Sequence, residues 1–113
     1  MRKSVLILAV CLSLIVLGAL SNTLVVELNG GRMPVSRSYR LNKPLSDGHV
    51  FIDSDTKIPW LGDIIYLPST ITALIGYTVI SIGDVLLYVP SLVILFCVVP
   101  VYFVEMRNIY AKE

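Results

Sequence analysis

Asn29-Gly30-Gly31-Arg32-Met33-Pro34-Val35-Ser36 opens, and Ser81-Ile82-Gly83-Asp84 closes, a polar stretch flanked on each side by an apolar run of membrane-spanning length. That arrangement decides the fold class. It predicts a mainly α membrane protein, with two transmembrane helices joined by a long, structured loop that is partly β and partly interfacial. The organisation expected is a first helix over 1–28, a loop over 29–80, a second helix over 81–104 and a polar tail over 105–113.

The composition agrees with that class. The 113-residue chain is 56% hydrophobic and 15% charged, with a mean hydropathy of +0.81. Soluble domains run nearer ~45–50% apolar and ~25% charged. A net charge of +1 supplies no field for collecting nucleic acid or an acidic substrate. Cys11 and Cys97 fall inside the apolar runs, where small buried fillers are expected and not a disulfide framework.

Met1-Arg2-Lys3 ahead of Val5 has the cationic start of a signal peptide, and Ala19-Leu20-Ser21 has the small residues of a cleavage site. Length favours a retained anchor: the run continues to Val26, about 22 residues or ~33 Å of helix, against a hydrocarbon core of ~30 Å. Ala9, Ser13 and Gly18 are small residues that let another helix approach closely. Asn22 and Thr23 lie near the far end, within reach of water or a neighbouring helix. Gly30 and Gly31 suit the left-handed backbone that ends a helix.

Arg32 to Lys43 holds four basic residues together with Pro34, and Pro44 follows, so extended surface backbone is expected. His49-Val50-Phe51-Ile52 and Lys57-Ile58-Pro59-Trp60 read as two short strands about an Asp53-Ser54-Asp55-Thr56 turn. Ile64 to Ile80 is apolar but broken by Pro68 and Gly76, and flanked by Trp60, Tyr66 and Tyr77, which predicts a segment resting at the headgroup level. Ser81 and Asp84 form a capping box, and the helix after them is uncharged through Val104, with Pro90 and Pro100 expected to distort it.

Two spans place both termini on one side. Arg2, Lys3, Arg107 and Lys112 are denser than the loop cations Arg32, Arg37, Arg40, Lys43 and Lys57, so the termini are expected in the cytoplasm and the loop outside.

The Asn29–Ser36 element, the run Thr56-Lys57-Ile58-Pro59-Trp60-Leu61-Gly62-Asp63-Ile64-Ile65-Tyr66-Leu67-Pro68 and the helix start Ser81-Ile82-Gly83-Asp84-Val85-Leu86-Leu87 together resemble an uncharacterised group of bacterial multi-span membrane proteins. That group carries similar NGGRMPVS, LPWLGD-x-IPLP and SxGDVLL elements. The resemblance covers roughly Asn22 to Phe96. It implies that this chain corresponds to the last third to half of longer members, preceded by a single helix, with the work of their other spans absent or supplied by a partner. It implies no reaction, cofactor or catalytic residue.

The candidate loop residues are Arg32, His49 and Asp63. An acid set among Trp60 and apolar residues needs a cap, a partner or a ligand, and pairing of Asp63 with Arg32, Arg37 or Arg40 is the structural expectation. Arg32 beside two glycines can alternatively hold a lipid phosphate. His49, near Asp47, lacks a second histidine or a loop cysteine to complete a metal set or nucleophilic triad. Asp53 and Asp55 make a D-x-D pair of a kind that holds divalent metal elsewhere, though turns commonly contain one. Neither helix has an acid or base at its centre, so a pump or channel acting alone is not expected. A non-catalytic accessory subunit is, partnered by other integral membrane subunits or copies of itself and by lipid, with no cofactor and no nucleic acid. The alternative is a lipid- or envelope-directed binding protein or a small membrane enzyme using the loop surface.

Overall fold

The structure, a computed structural model, describes residues 2–37, 45–76 and 78–112. Arg40, Lys43, Pro44 and Tyr77, to which the sequence assigns roles, lie outside the described residues. The molecule is elongated, 64 × 29 × 18 Å.

Helix α1 (Arg2–Leu28) and the helical stretch Ile82–Tyr110 have 27 and 29 residues, and both are long and apolar enough to cross a membrane. They lie against each other. On α1 the buried positions are Cys11, Gly18 and Val25, one stripe at seven-residue spacing, as expected for a helix with one helical neighbour. Ala9 and Ser13 are exposed, away from that stripe, and the Ser13 hydroxyl donates to the Ala9 carbonyl at 2.9 Å.

The crossing is built on glycine. A Cβ on Gly18 would stand 2.6 Å from the Gly83 carbonyl oxygen and 2.9 Å from the Leu86 Cβ, and one on Gly83 would overlap the Asn22 side chain. Only the absent side chains let the two backbones come this close.

The second helical stretch is not uniform. Helix α3 (Ile82–Val93) contains Pro90, a π turn runs Ile94–Val98, and α4 (Val99–Tyr110) begins with Pro100 in its first turn, so the helix continues through most of the polar tail. The distortion expected from the prolines is this widened turn between them, which corrects the reading of Cys97. At 3.6 residues per turn Cys97 would follow Pro90 on the inward face. The extra residue per π turn brings Val98 there instead, buried, and leaves Cys97 exposed.

α1 ends as its glycines predict: Gly30 and Gly31 have φ of 70° and 79°, and the Gly31 N–H bonds the Val26 carbonyl at 3.0 Å. The loop then folds about β1 (Met33–Val35), whose Pro34 and Val35 are buried. The hairpin expected from His49 to Trp60 is not formed. β2 (His49–Phe51) instead pairs parallel with β1, Met33 opposite His49, and Pro59–Leu61 is a 3-10 turn. Lys57 has found a different partner, the Asn29 side chain. Its Oδ1 accepts from the Lys57 N–H at 2.8 Å while its Nδ2 donates to the Lys57 carbonyl at 2.9 Å and the Val25 carbonyl at 2.7 Å. One amide thus substitutes for a strand and ties the loop to the end of α1.

The Ile64–Ile80 segment is also more structured than a single interfacial run. β3 (Ile65–Tyr66) pairs antiparallel with β4 (Val79–Ile80), and α2 (Ser69–Ile75) lies between them. α2 buries none of its residues, and Leu74 is 86% exposed.

Candidate functional site

The polar groups of the loop converge where α3 begins. Ser81 caps α3, accepting from the Asp84 N–H at 3.0 Å while the Asp84 carboxylate accepts from the Ser81 N–H at 3.0 Å. This local box is joined to α1 by Asn22, whose Nδ2 donates to Asp84 Oδ1 at 2.8 Å and whose Oδ1 accepts from the Ser81 hydroxyl at 2.8 Å. Ser81 is fully buried. The neighbouring helix, and not water alone, thus satisfies Asn22, and the cap of one helix becomes the polar lock between two.

β1 places the next two groups. On one side the Met33 N–H reaches the Gly48 carbonyl at 2.8 Å, next to His49. On the other, the Asp63 N–H donates to the Pro34 carbonyl at 2.8 Å and the Ser36 N–H to the Asp63 carbonyl at 3.0 Å. Gly62 allows this approach, since a Cβ there would lie 2.5 Å from the Pro34 oxygen. His49 and Asp63 therefore flank the same strand, with His49 Nε2 3.6 Å from Asp63 Oδ2.

Asp63 thus stands beside His49 and not beside Arg32 or Arg37; Arg40, the third expected partner, lies outside the described residues. No interaction joins Asp63 to Arg32 or Arg37 among the described residues; Arg32 is exposed, and the Arg37 Nε donates to the Ile52 carbonyl at 2.8 Å. His49 turns its Nδ1 to the Ser46 hydroxyl at 2.6 Å, not to Asp47. Asp53 is occupied within its turn, its Oδ1 accepting from the Asp55 N–H at 2.9 Å, and among the described residues no three His, Cys, Asp or Glu stand together as a metal set.

His49, Asp63 and Asp84 line one cleft of about 250 Å³, with Met33, Ile80 and Tyr88 among its walls. Burial, and after it the negative charge of Asp84, pushes the Asp63 carboxyl up from 3.8 to about 7. Its Oδ1 is buried and has no hydrogen-bond donor among the described residues. The site is therefore an acid that titrates near neutrality, beside an imidazole, where the helices leave the loop.

Sequence alone does not bring Asn22, Ser46, Gly83 and Tyr88 together as members of one site. The signals it carries are Asn22, a polar residue at the end of an apolar run, and Gly83, inside a capping box.

Residues 7–98 match a family of unknown function (DUF5317), and the chain belongs to that family. No curated protein and no solved structure matches it.

Proposed function

We propose that this member of a family of unknown function is a non-catalytic accessory or structural subunit of a bacterial membrane protein complex. Both long helices span the bilayer in this reading, the termini are cytoplasmic and the loop is outside. The observation that carries it is the outward side of α1. Gly18 is spent on α3, whereas Ala9 and Ser13 remain exposed on a helix that buries only one stripe. In lipid, helix association depends on close packing and polar contacts, and small residues permit it. The exposed Trp60, Tyr66, Ile71, Leu74 and Ile75 further support a loop resting on the bilayer through α2 and its flanks.

Two measurements test this. Ala9→Leu with Ser13→Leu should release the protein from its co-purifying subunits, or from copies of itself, in mild detergent while leaving it inserted, because neither side chain takes part in the α1–α3 crossing. Retention of the same complex by the double variant speaks against the subunit reading. For topology, single cysteines at Ser54 and Ala111, with Cys11 and Cys97 replaced by alanine, should be labelled by a membrane-impermeant maleimide from opposite faces of sealed cells. Labelling of both from one face removes the two-span arrangement.

A second reading, a lipid- or envelope-directed binding protein or small membrane enzyme, is favoured by the cleft holding His49 and Asp63. A monomer whose turnover is abolished by His49→Ala would bring that reading forward.

A further inference from the structure

We propose that the cleft at the start of α3 is a binding site for a primary ammonium group, accepted by the Asp63 carboxylate among His49, Asp84 and Tyr88. The feature that demands a ligand is Asp63 itself. It is 7% exposed, and among the described residues its Oδ1 has no donor. Its neighbours are already engaged: Asp84 accepts from Asn22 and Ser81, and the His49 Nδ1 faces Ser46. A buried carboxylate oxygen without a partner is unfavourable, and a cationic N–H donor removes that penalty.

The surroundings select the cation. Two carboxylates and one imidazole line the cleft, which excludes an anion as the better ligand. Among the described residues no three-ligand metal set exists, and Met33, Val79 and Ile80 offer apolar walls that suit methylene groups. A quaternary ammonium has no N–H for Oδ1. A guanidinium fork prefers both carboxylate oxygens, but Oδ2 lies beside the His49 Nε2. A compact ammonium on a short carbon chain needs only one acceptor, and the tyrosine ring of Tyr88 can add to its binding. The volume, about 250 Å³, is smaller than the ~300–1,000 Å³ of pockets for drug-sized ligands and suits an aminoethyl group.

The source follows from depth. Asp84 lies in the first turn of α3, where the helix leaves the loop. If the helices span as proposed above, that is the headgroup level, and the ethanolamine headgroup of a lipid is the occupant. A bound cation also favours the ionised carboxylate, so binding strengthens as pH rises through the range in which Asp63 titrates. The titratable groups that line the cleft with Asp63 are His49 from β2 and Asp84 and Tyr88 from α3.

The test uses the full chain and needs no partner. In detergent, ethanolamine should raise the thermal midpoint and choline should not; in nanodiscs, phosphatidylethanolamine should raise it relative to phosphatidylcholine alone. The response should be larger at pH 8 than at pH 6. Asp63→Asn should bind ethanolamine at least ~10-fold more weakly with its helical circular dichroism intact, and Asp53→Asn, in the surface turn, should respond like the wild type. Equal responses to ethanolamine and choline, or undiminished binding by Asp63→Asn, overturn the site. A response to free ethanolamine without one to the lipid keeps the ammonium site and removes the lipid as its source. Stabilisation by a co-purifying protein, with none from either amine or lipid, overturns the proposal in favour of a partner's side chain. Because the detergent arm is independent of bilayer insertion and of subunit partners, its failure is distinct from failure of the subunit reading.

Discussion

Gly18→Leu should unfold the contact between the two long helices, lowering stability by roughly 2–4 kcal/mol. The first added carbon already stands 2.6 Å from the Gly83 carbonyl oxygen and 3.0 Å from the Leu87 nitrogen, both backbone atoms that cannot rotate away. The helices must then move apart, and the Asn22–Asp84 and Asn22–Ser81 bonds, each 2.8 Å, cannot follow. Thermal unfolding in detergent and protease access to the loop at Lys57 report this. Gly83→Ala should act chiefly through a side chain, since its new methyl overlaps Asn22 and meets the Gly18 carbonyl oxygen only at 2.9 Å. In an Asn22→Ala background the same substitution should therefore be less harmful, with the Gly18 carbonyl contact remaining, a coupling that a double-mutant cycle measures directly. Simple additivity of the two would show that Asn22 is not what limits the approach of α3.

Asp63→Asn should stabilise the protein, and increasingly so as pH rises. The folded chain holds the Asp63 proton up to about 7, whereas the unfolded chain releases it near 3.8. Between those values the folded state binds more protons, so the wild type has this contribution in full below 3.8 and loses it as pH climbs through about 7. A displacement of about three units at ~1.4 kcal/mol per unit makes the loss ~4 kcal/mol. Asparagine keeps the size and cannot ionise. The difference in unfolding free energy between variant and wild type should grow by about that amount from pH 4 to pH 8. A constant difference across the range would mean that Asp63 titrates alike in both states. The nearby His49 and Asp84 make the same measurement on His49→Ala informative, because that substitution removes the imidazole while keeping the second carboxylate.

How far the sequence carries can be read from particular residues. The long helices were legible because an uninterrupted apolar run states its own length, and the box at Ser81 and Asp84 because a cap depends on residues three apart. Gly30 and Gly31 announced the end of α1 for the same local reason. The strand pairing was not legible. An apolar triplet, a turn and a second apolar triplet suggest a hairpin, but β2 found its partner in β1, and Lys57 found the Asn29 amide, 28 residues away. Local patterns say that a residue wants a neighbour without saying which one. Asp63 illustrates this: the need for a partner was evident, the loop arginines were the nearest candidates by charge, and the backbone bonds to Pro34 and Ser36 set it beside His49, with neither Arg32 nor Arg37 joined to it. Gly18 and Gly83 show the same limit in the helices, where small residues are visible singly but the pair that touches depends on the crossing.

The lock between Asn22 and Asp84 also sets an order in time. The two residues are 62 apart in the chain. At ~5–20 residues per second of synthesis, α1 exists for roughly 3–12 s before the carboxylate that will receive its amide has been made. Throughout that interval the wall contributed by Asp84 and Tyr88 is missing. The cleft consequently closes only when α3 arrives, and a fully formed Asp63 site marks a chain whose synthesis has passed Tyr88.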